Sequence, residues 1–253
     1  MKAILAAVLA LALGACQTDN LVTKQADDPR PTSVNPIAPL KGPQVAKGAV
    51  LFINGVDFRN LTHHIDEATP SIMYWFANGG FDVYRLDLAP KDQNPAPRLF
   101  AATDKAIEGL RRQSYRRVFV VGHSGGGIAA LTSTTAGPIQ SDGAIAFASG
   151  GVNALDSAEE NLRFHRLLTS EIPANKRVAI FHFRDDELLG RWHREAVNIS
   201  TSTLQGRKNA MVRVPPRVTG HLATQSSALA NIYGRCLAEF LAADDPNERV
   251  CPP

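Results

Sequence analysis

The sequence predicts an α/β protein: one mostly parallel sheet with helices on both faces. Three observations predict it. Short runs such as Ala49–Ile53 and Arg117–Val121 are apolar at nearly every position, the signature of strands buried on both faces rather than one. Stretches with helical spacing separate these runs, as crossover connections between parallel strands require. One strand also runs directly into a glycine-rich turn that opens a helix, at Gly122–Gly127. With 253 residues, 44% of them hydrophobic, the chain can bury one large core, and disorder is excluded. The net charge of +3 is spread without a dense basic block, so no nucleic-acid partner is expected. A single long apolar run, at the very start, excludes a polytopic membrane protein.

Each element follows in order. Ala49–Ile53 is a strand ending at Asn54-Gly55, and a helix is expected over Asp66–Asn78, stopped by Gly79-Gly80. Phe81–Leu88 reads as a strand ended by Pro90, and Leu99–Arg112 as a helix with Ala102, Ala106 and Leu110 on one side. Arg117–Val121 is a strand, a helix starts near Ser124, and Gly143–Ala148 is the next strand. Ser157–Leu168 is predicted helical, Arg177–Phe183 and Met211–Val214 as strands, and Leu222–Leu241 as the last helix. No internal repeat occurs, and residues 47–253 form one domain.

The start of the chain carries an address. Met1-Lys2 is followed by the apolar run Ala3–Leu13, too short to span a bilayer, where roughly 20 residues are needed. It ends in Leu13-Gly14-Ala15-Cys16, which resembles a bacterial lipobox. That resemblance implies a signal peptide over residues 1–15, a lipid on Cys16, and a place in the bacterial envelope. Gln17 after the cysteine favours the outer membrane, with the domain facing the periplasm. Residues 16–46, with Pro29, Pro31, Pro36, Pro39 and Pro43, read as an extended tether. With Cys16 acylated, Cys236 and Cys251 remain, and in an exported chain a bridge between them is favoured over one buried and one frayed thiol.

The chemistry concentrates at Gly122-His123-Ser124-Gly125-Gly126. A serine at so sharp a strand-to-helix turn needs glycine neighbours, and the helix N-terminus then points at its hydroxyl. In this motif the chain resembles the α/β-hydrolase superfamily, over about Gly48–Ala242. The competing match, Gly125-x-Gly127-x-x-Ala130 as a dinucleotide loop, lacks an acidic residue after the following strand, which ends in Ser149-Gly150-Gly151. No phosphate loop occurs, and neither His-Glu-x-x-His nor paired cysteine ligands suggest a metal. No cofactor is implied.

The resemblance implies a triad in the chain order Ser, acid, His. Ser124 is the expected nucleophile. The acid should follow a late strand, where Arg184-Asp185-Asp186-Glu187 stands, so Asp186 is expected, with Asp185 the alternative. A carboxylate there could instead cap a helix beginning at Leu188. His221, in the loop before the last helix, is the expected base. The amides of Gly125 and Val56 would form the oxyanion hole, although the loop before Val56 has Asn54-Gly55 where the family often has His-Gly.

A serine nucleophile with this support implies two-step acyl transfer on a small-molecule ester, with no long lid inserted between Ala148 and Arg177 and hence a preference for short acyl groups. Peptidase and thioesterase activity stay open, as does a non-catalytic surface lipoprotein that uses the fold as a binding scaffold. Arg184, Arg191, Arg194, Arg207, Lys208, Arg213 and Arg217 make the second half of the domain basic, read chiefly as a solvated face and otherwise as a site for an anionic acyl group. The oligomeric state is not encoded in any motif.

Overall fold

The computed structural model describes residues 32–57, 62–63, 68–88, 95–135, 139–149, 158–244 and 251. The expected signal peptide, Cys16 and the first half of the expected tether lie outside the described residues. Among those described, no helix is long and apolar enough to cross a membrane.

The strands are β1 (Ser33–Pro36), β2 (Ala49–Ile53), β3 (Val56–Asp57), β4 (Thr62–His63), β5 (Asp82–Asp87), β6 (Val118–His123), β7 (Gly143–Phe147), β8 (Arg177–Phe181) and β9 (Ala210–Arg213). The helices are α1 (Ile72–Asn78), α2 (Pro95–Arg112), α3 (Gly125–Thr135), α4 (Ala158–Ser170), α5 (His193–Leu204) and α6 (Ser227–Ala242). A seven-stranded sheet runs in the order β1-β5-β2-β6-β7-β8-β9, parallel throughout except for β1, and β3 and β4 form a separate hairpin-like pair.

The continuous apolar runs are explained by two cores, one on each face. On one face Leu51, Ile53, Val118 and Val120 meet Leu99 and Ile107 of α2, Ile128 of α3, and Phe164 and Leu168 of α4. On the other, Val50, Phe52, Phe119 and Val121 meet Phe76 of α1 and Leu229, Tyr233 and Leu237 of α6. Alternate residues of one strand thus serve opposite cores, and a polar residue has no face to occupy. A satellite cluster of Leu162, Leu189, Ala196 and Ile199 joins α4 to α5.

Four elements differ from the sequence expectation. The tether reading does not hold from Ser33 onward, because β1 pairs antiparallel with β5 and Ile37 donates to the Val83 carbonyl at 2.9 Å. Asp82 locks the segment further: its carboxylate accepts from the Lys41 amide at 2.6 Å, the Gly42 amide at 2.8 Å and the Tyr115 hydroxyl at 2.5 Å. Burial pushes the Tyr115 phenol up, so it stays a donor to that carboxylate. Second, α5 forms where no helix was expected. Third, α1 starts at Ile72, residues 64–67 lying outside the described set. Fourth, the last helix is two pieces: a 3-10 turn over His221–Gln225, then α6, restarted by Ser226, whose hydroxyl accepts from the Ala228 amide at 3.1 Å. The expected bridge joins Cys236 of α6 to Cys251, with Cα atoms 5.4 Å apart.

Candidate active site

β6 delivers Ser124 into a left-handed backbone, φ +53°, which an L-residue adopts only under constraint. Its amide donates to the Phe147 carbonyl of β7 at 2.8 Å, and its own carbonyl accepts from Gly127 at 2.9 Å, so the serine starts α3. Two glycines make the turn possible. A Cβ on Gly122 would meet the Gly126 carbonyl oxygen at 2.0 Å, and one on Gly126 would meet the Ile53 and Asn54 carbonyl oxygens at 2.3 and 2.6 Å. The second contact seats the start of α3 against the end of β2. The β2–β3 loop, with Val56 opening β3 just beyond Gly55, therefore lies beside the turn. Asn54, fully buried, bends that loop by accepting from the Gly55 amide at 2.9 Å.

His221 and Asp186 meet. The imidazole Nδ1 lies 3.0 Å from one Asp186 carboxylate oxygen and 3.2 Å from the other. A carboxylate can only accept here, so Nδ1 carries the hydrogen and Nε2 is left as a base. The Asp186 side chain is fully buried and that of His221 is 11% exposed, so the pair is screened from water while one ring edge stays reachable. Asp186 also accepts from the Leu188 amide at 3.0 Å, which turns its own loop. The carboxylate thus serves as turn-former and as histidine partner at once; no helix starts at Leu188 for it to cap, and α5 begins only at His193. Asp185 is exposed, in a left-handed backbone at φ +55°, and does not meet His221.

The acid loop and the histidine loop are fastened to each other. The Gly220 amide donates to the Arg184 carbonyl at 2.7 Å, and the Glu187 carboxylate accepts from the His221 amide at 3.1 Å. From the other side His123, next to Ser124, has its Nε2 at 2.9 Å from the His221 carbonyl oxygen, with ring centroids 4.9 Å apart. Among the described residues the Ser124 hydroxyl makes no hydrogen bond to the His221 ring.

His123 and Glu187 were missed by sequence reasoning. His123 was read only as the spacer of the motif, yet an imidazole closing a fully apolar strand must find a polar partner, and that is a usable signal. Nothing in the sequence separates Glu187 from its acidic neighbours.

The basic residues do not gather into one site. Arg207 bonds the Ile172 carbonyl, Arg213 bonds the carbonyls of Val212 and Cys251, and Lys208 and Arg217 are exposed. Arg184, Arg191 and Arg194 line an open cleft of about 520 Å3 along the acid loop, shared with Asp185, Asp186, Glu187 and His193. No group of three His, Cys, Asp or Glu residues suited to a metal occurs among the described residues.

No protein-family model matches the sequence, and no curated protein matches it at a significant level. Solved structures do match in fold. The chain is similar to an acetyl ester-xyloside bifunctional hydrolase from Caldicellulosiruptor lactoaceticus, with a TM-score of 0.59 and 13% identity over 88% of this chain and 92% of that one. It is similar to a monoacylglycerol lipase from Paleococcus ferrophilus, with a TM-score of 0.58 and 14% identity over 84% and 99%. It is also similar to part of dipeptidyl peptidase 4 from Porphyromonas gingivalis, with a TM-score of 0.57 and 16% identity over 83% of this chain and 33% of that one. The chain has the α/β-hydrolase fold.

Proposed function

We propose that this protein is a serine hydrolase that cleaves carboxylic esters through an acyl-enzyme. The observation that carries the reading is the buried Asp186–His221 pair, formed across the mouth of the same fold that strains Ser124 into a left-handed turn. In the proposed mechanism His221 Nε2 takes the Ser124 proton as the hydroxyl attacks the ester carbonyl. The oxyanion is held by the amides of Gly125, at the N-terminus of α3, and Val56. His221 then protonates the departing alcohol, and in the second step activates water to release the acid. Asp186 holds the tautomer and stabilises the imidazolium throughout.

The esterase and lipase among the fold neighbours support an ester substrate; the peptidase shows that the fold alone does not decide it. Short acyl groups fit best. The helix α4 contributes Phe164 and Leu168 to the core and packs on α5, so it serves as a layer of the fold rather than a cover over Ser124. The lipobox supports export and anchoring through Cys16 to the outer membrane, which a Cys16→Ser variant should release into the soluble fraction.

A fluorophosphonate probe tests the reaction class, and a panel of esters, thioesters and peptides tests the substrate. Labelling of wild type but not Ser124→Ala, with turnover of esters, is the expected result. A wild type that neither labels nor turns over would return the chain to a non-catalytic scaffold.

A further inference from the structure

The backbone of His221 is held at both of its polar atoms by side chains that do not belong to the triad. Its carbonyl accepts from His123 Nε2 at 2.9 Å, inside the fold, where His123 is 2% exposed. Its amide donates to Glu187 Oε2 at 3.1 Å, on the outer side, where Glu187 is exposed. The preceding residue, Gly220, is tied to Arg184 and takes φ +85°. We propose that His123 and Glu187 are positioning residues that clamp the His221 backbone, so that its ring keeps Nδ1 on Asp186 while Nε2 stays free for Ser124. The proposal rests on the serine-hydrolase reading above.

The physical need is plain. A histidine in a loop can swing its ring by small changes at its own peptide units, and a reacting atom misplaced by 1 Å costs about a hundredfold in rate. Asp186 restrains one ring nitrogen only, which leaves rotation about that hydrogen bond. Fixing both peptide groups removes that freedom. The His123 ring, centroid 4.9 Å from that of His221 and tilted 47° to it, closes one side of the space into which the ring could turn. Because the carbonyl can only accept, His123 must carry its hydrogen on Nε2. Glu187 uses its carboxylate as an acceptor, a task that a neutral amide oxygen can also perform.

That last point gives the test. The variants His123→Phe, His123→Gln, Glu187→Ala and Glu187→Gln are compared with wild type for nitrophenyl acetate turnover, probe labelling of Ser124 and melting temperature. Phe removes the donor and Gln restores one; Ala removes the acceptor and Gln keeps one. His123→Phe and Glu187→Ala should lose about ten- to a hundredfold in kcat with KM and melting temperature unchanged. Both Gln variants should recover most of the loss. Full kcat in Glu187→Ala would overturn the clamp, and so would a Glu187→Gln variant as poor as Glu187→Ala, since charge rather than position would then matter. Glu187 is exposed, so its pair of variants decides the matter even if His123→Phe unfolds. Turnover surviving in Ser124→Ala would defeat the hydrolase reading instead, whatever these variants do.

Discussion

Two histidine environments among the described residues are built on opposite principles. His221 has a carboxylate at 3.0 Å, a partly exposed ring and a backbone held on both sides. His165 and His182 are sealed in, and they share a single neutral partner, the Ser200 hydroxyl, at 2.7 and 2.9 Å. His193 completes this second set, with its ring 6.2 Å from that of His182. Burial holds the His165 imidazole down to about 4, and burial with His165 and His193 nearby holds His182 well below the ordinary range. A hydroxyl can satisfy a neutral ring but cannot neutralise a charged one. The lesson is that burial with only a hydroxyl for partner holds a histidine neutral, whereas a carboxylate beside the ring offers a counter-charge for an imidazolium.

The largest effect should separate the two sets outright. His221→Gln, like Ser124→Ala, should cost at least about a thousandfold in kcat/KM, and the two losses should not add, because the groups act as a unit. His165→Gln should leave kcat/KM unchanged within error. Ester turnover measures both, and comparable losses at His165 and His221 would erase the contrast. Next comes the carboxylate. Asp186→Asn should cost on the order of a thousandfold, because an amide can hold the wrong tautomer. Asp185→Asn should cost much less, and a larger loss there would move the acid by one residue.

A third expected effect concerns stability rather than rate. His165 has its folded value held below its unfolded one, so between pH 6.5 and about 4 the unfolded chain binds the extra proton. Stability is therefore full above about pH 6.5 and is lost as the pH falls through that window, on the order of 3 kcal/mol from this residue alone. Urea midpoints of wild type between pH 7.5 and 4.5 should fall, and those of His165→Gln should fall less. An equal fall would mean that other groups carry the acid sensitivity. The smallest effect tests how open the His221 side is: acetyl and butyryl nitrophenyl esters should be cleaved a few-fold faster than long-chain ones. A maximum at lauryl would indicate a covered, lipase-like site.

The elbow was legible in the sequence because its causes are local: an apolar strand, a serine, and glycines within a few residues. The chain order of the expected triad pointed to the Arg184–Glu187 run and to His221, but only the fold shows which carboxylate turns inward. Other parts left no such trace. The strand β1 is polar and contains Pro36, since an edge strand needs only one ladder and half a hydrophobic face. The helix α5, His193–Leu204, is rich in Ser, Thr and Asn and buries only Ala196, Ile199, Ser200 and Leu204, too weak a stripe to read without its neighbours. The Ser200 pairing with His165 and His182 joins three distant segments and has no periodicity at all. Buried polar groups are satisfied by tertiary structure, and a sequence read locally cannot see it.

The two borders of the sheet are guarded differently, and this bears on how the protein would fail. At one border β1 lies across β5 and ends in Pro36, which has no amide to offer another chain. At the other, β9 is four residues long, with its unpaired side turned away from β8. There the guard is borrowed: Arg213 reaches the carbonyl of Cys251 at 3.1 Å, and Cys251, fully buried, is stapled to α6. The bridge closes a loop of 15 residues, worth about 3 kcal/mol by chain entropy. It also keeps Cys251 within reach of Arg213 at the end of β9. Mild reduction should therefore produce sticking before melting: strand-to-strand association along β9, seen as light scattering while the helical circular dichroism is still intact.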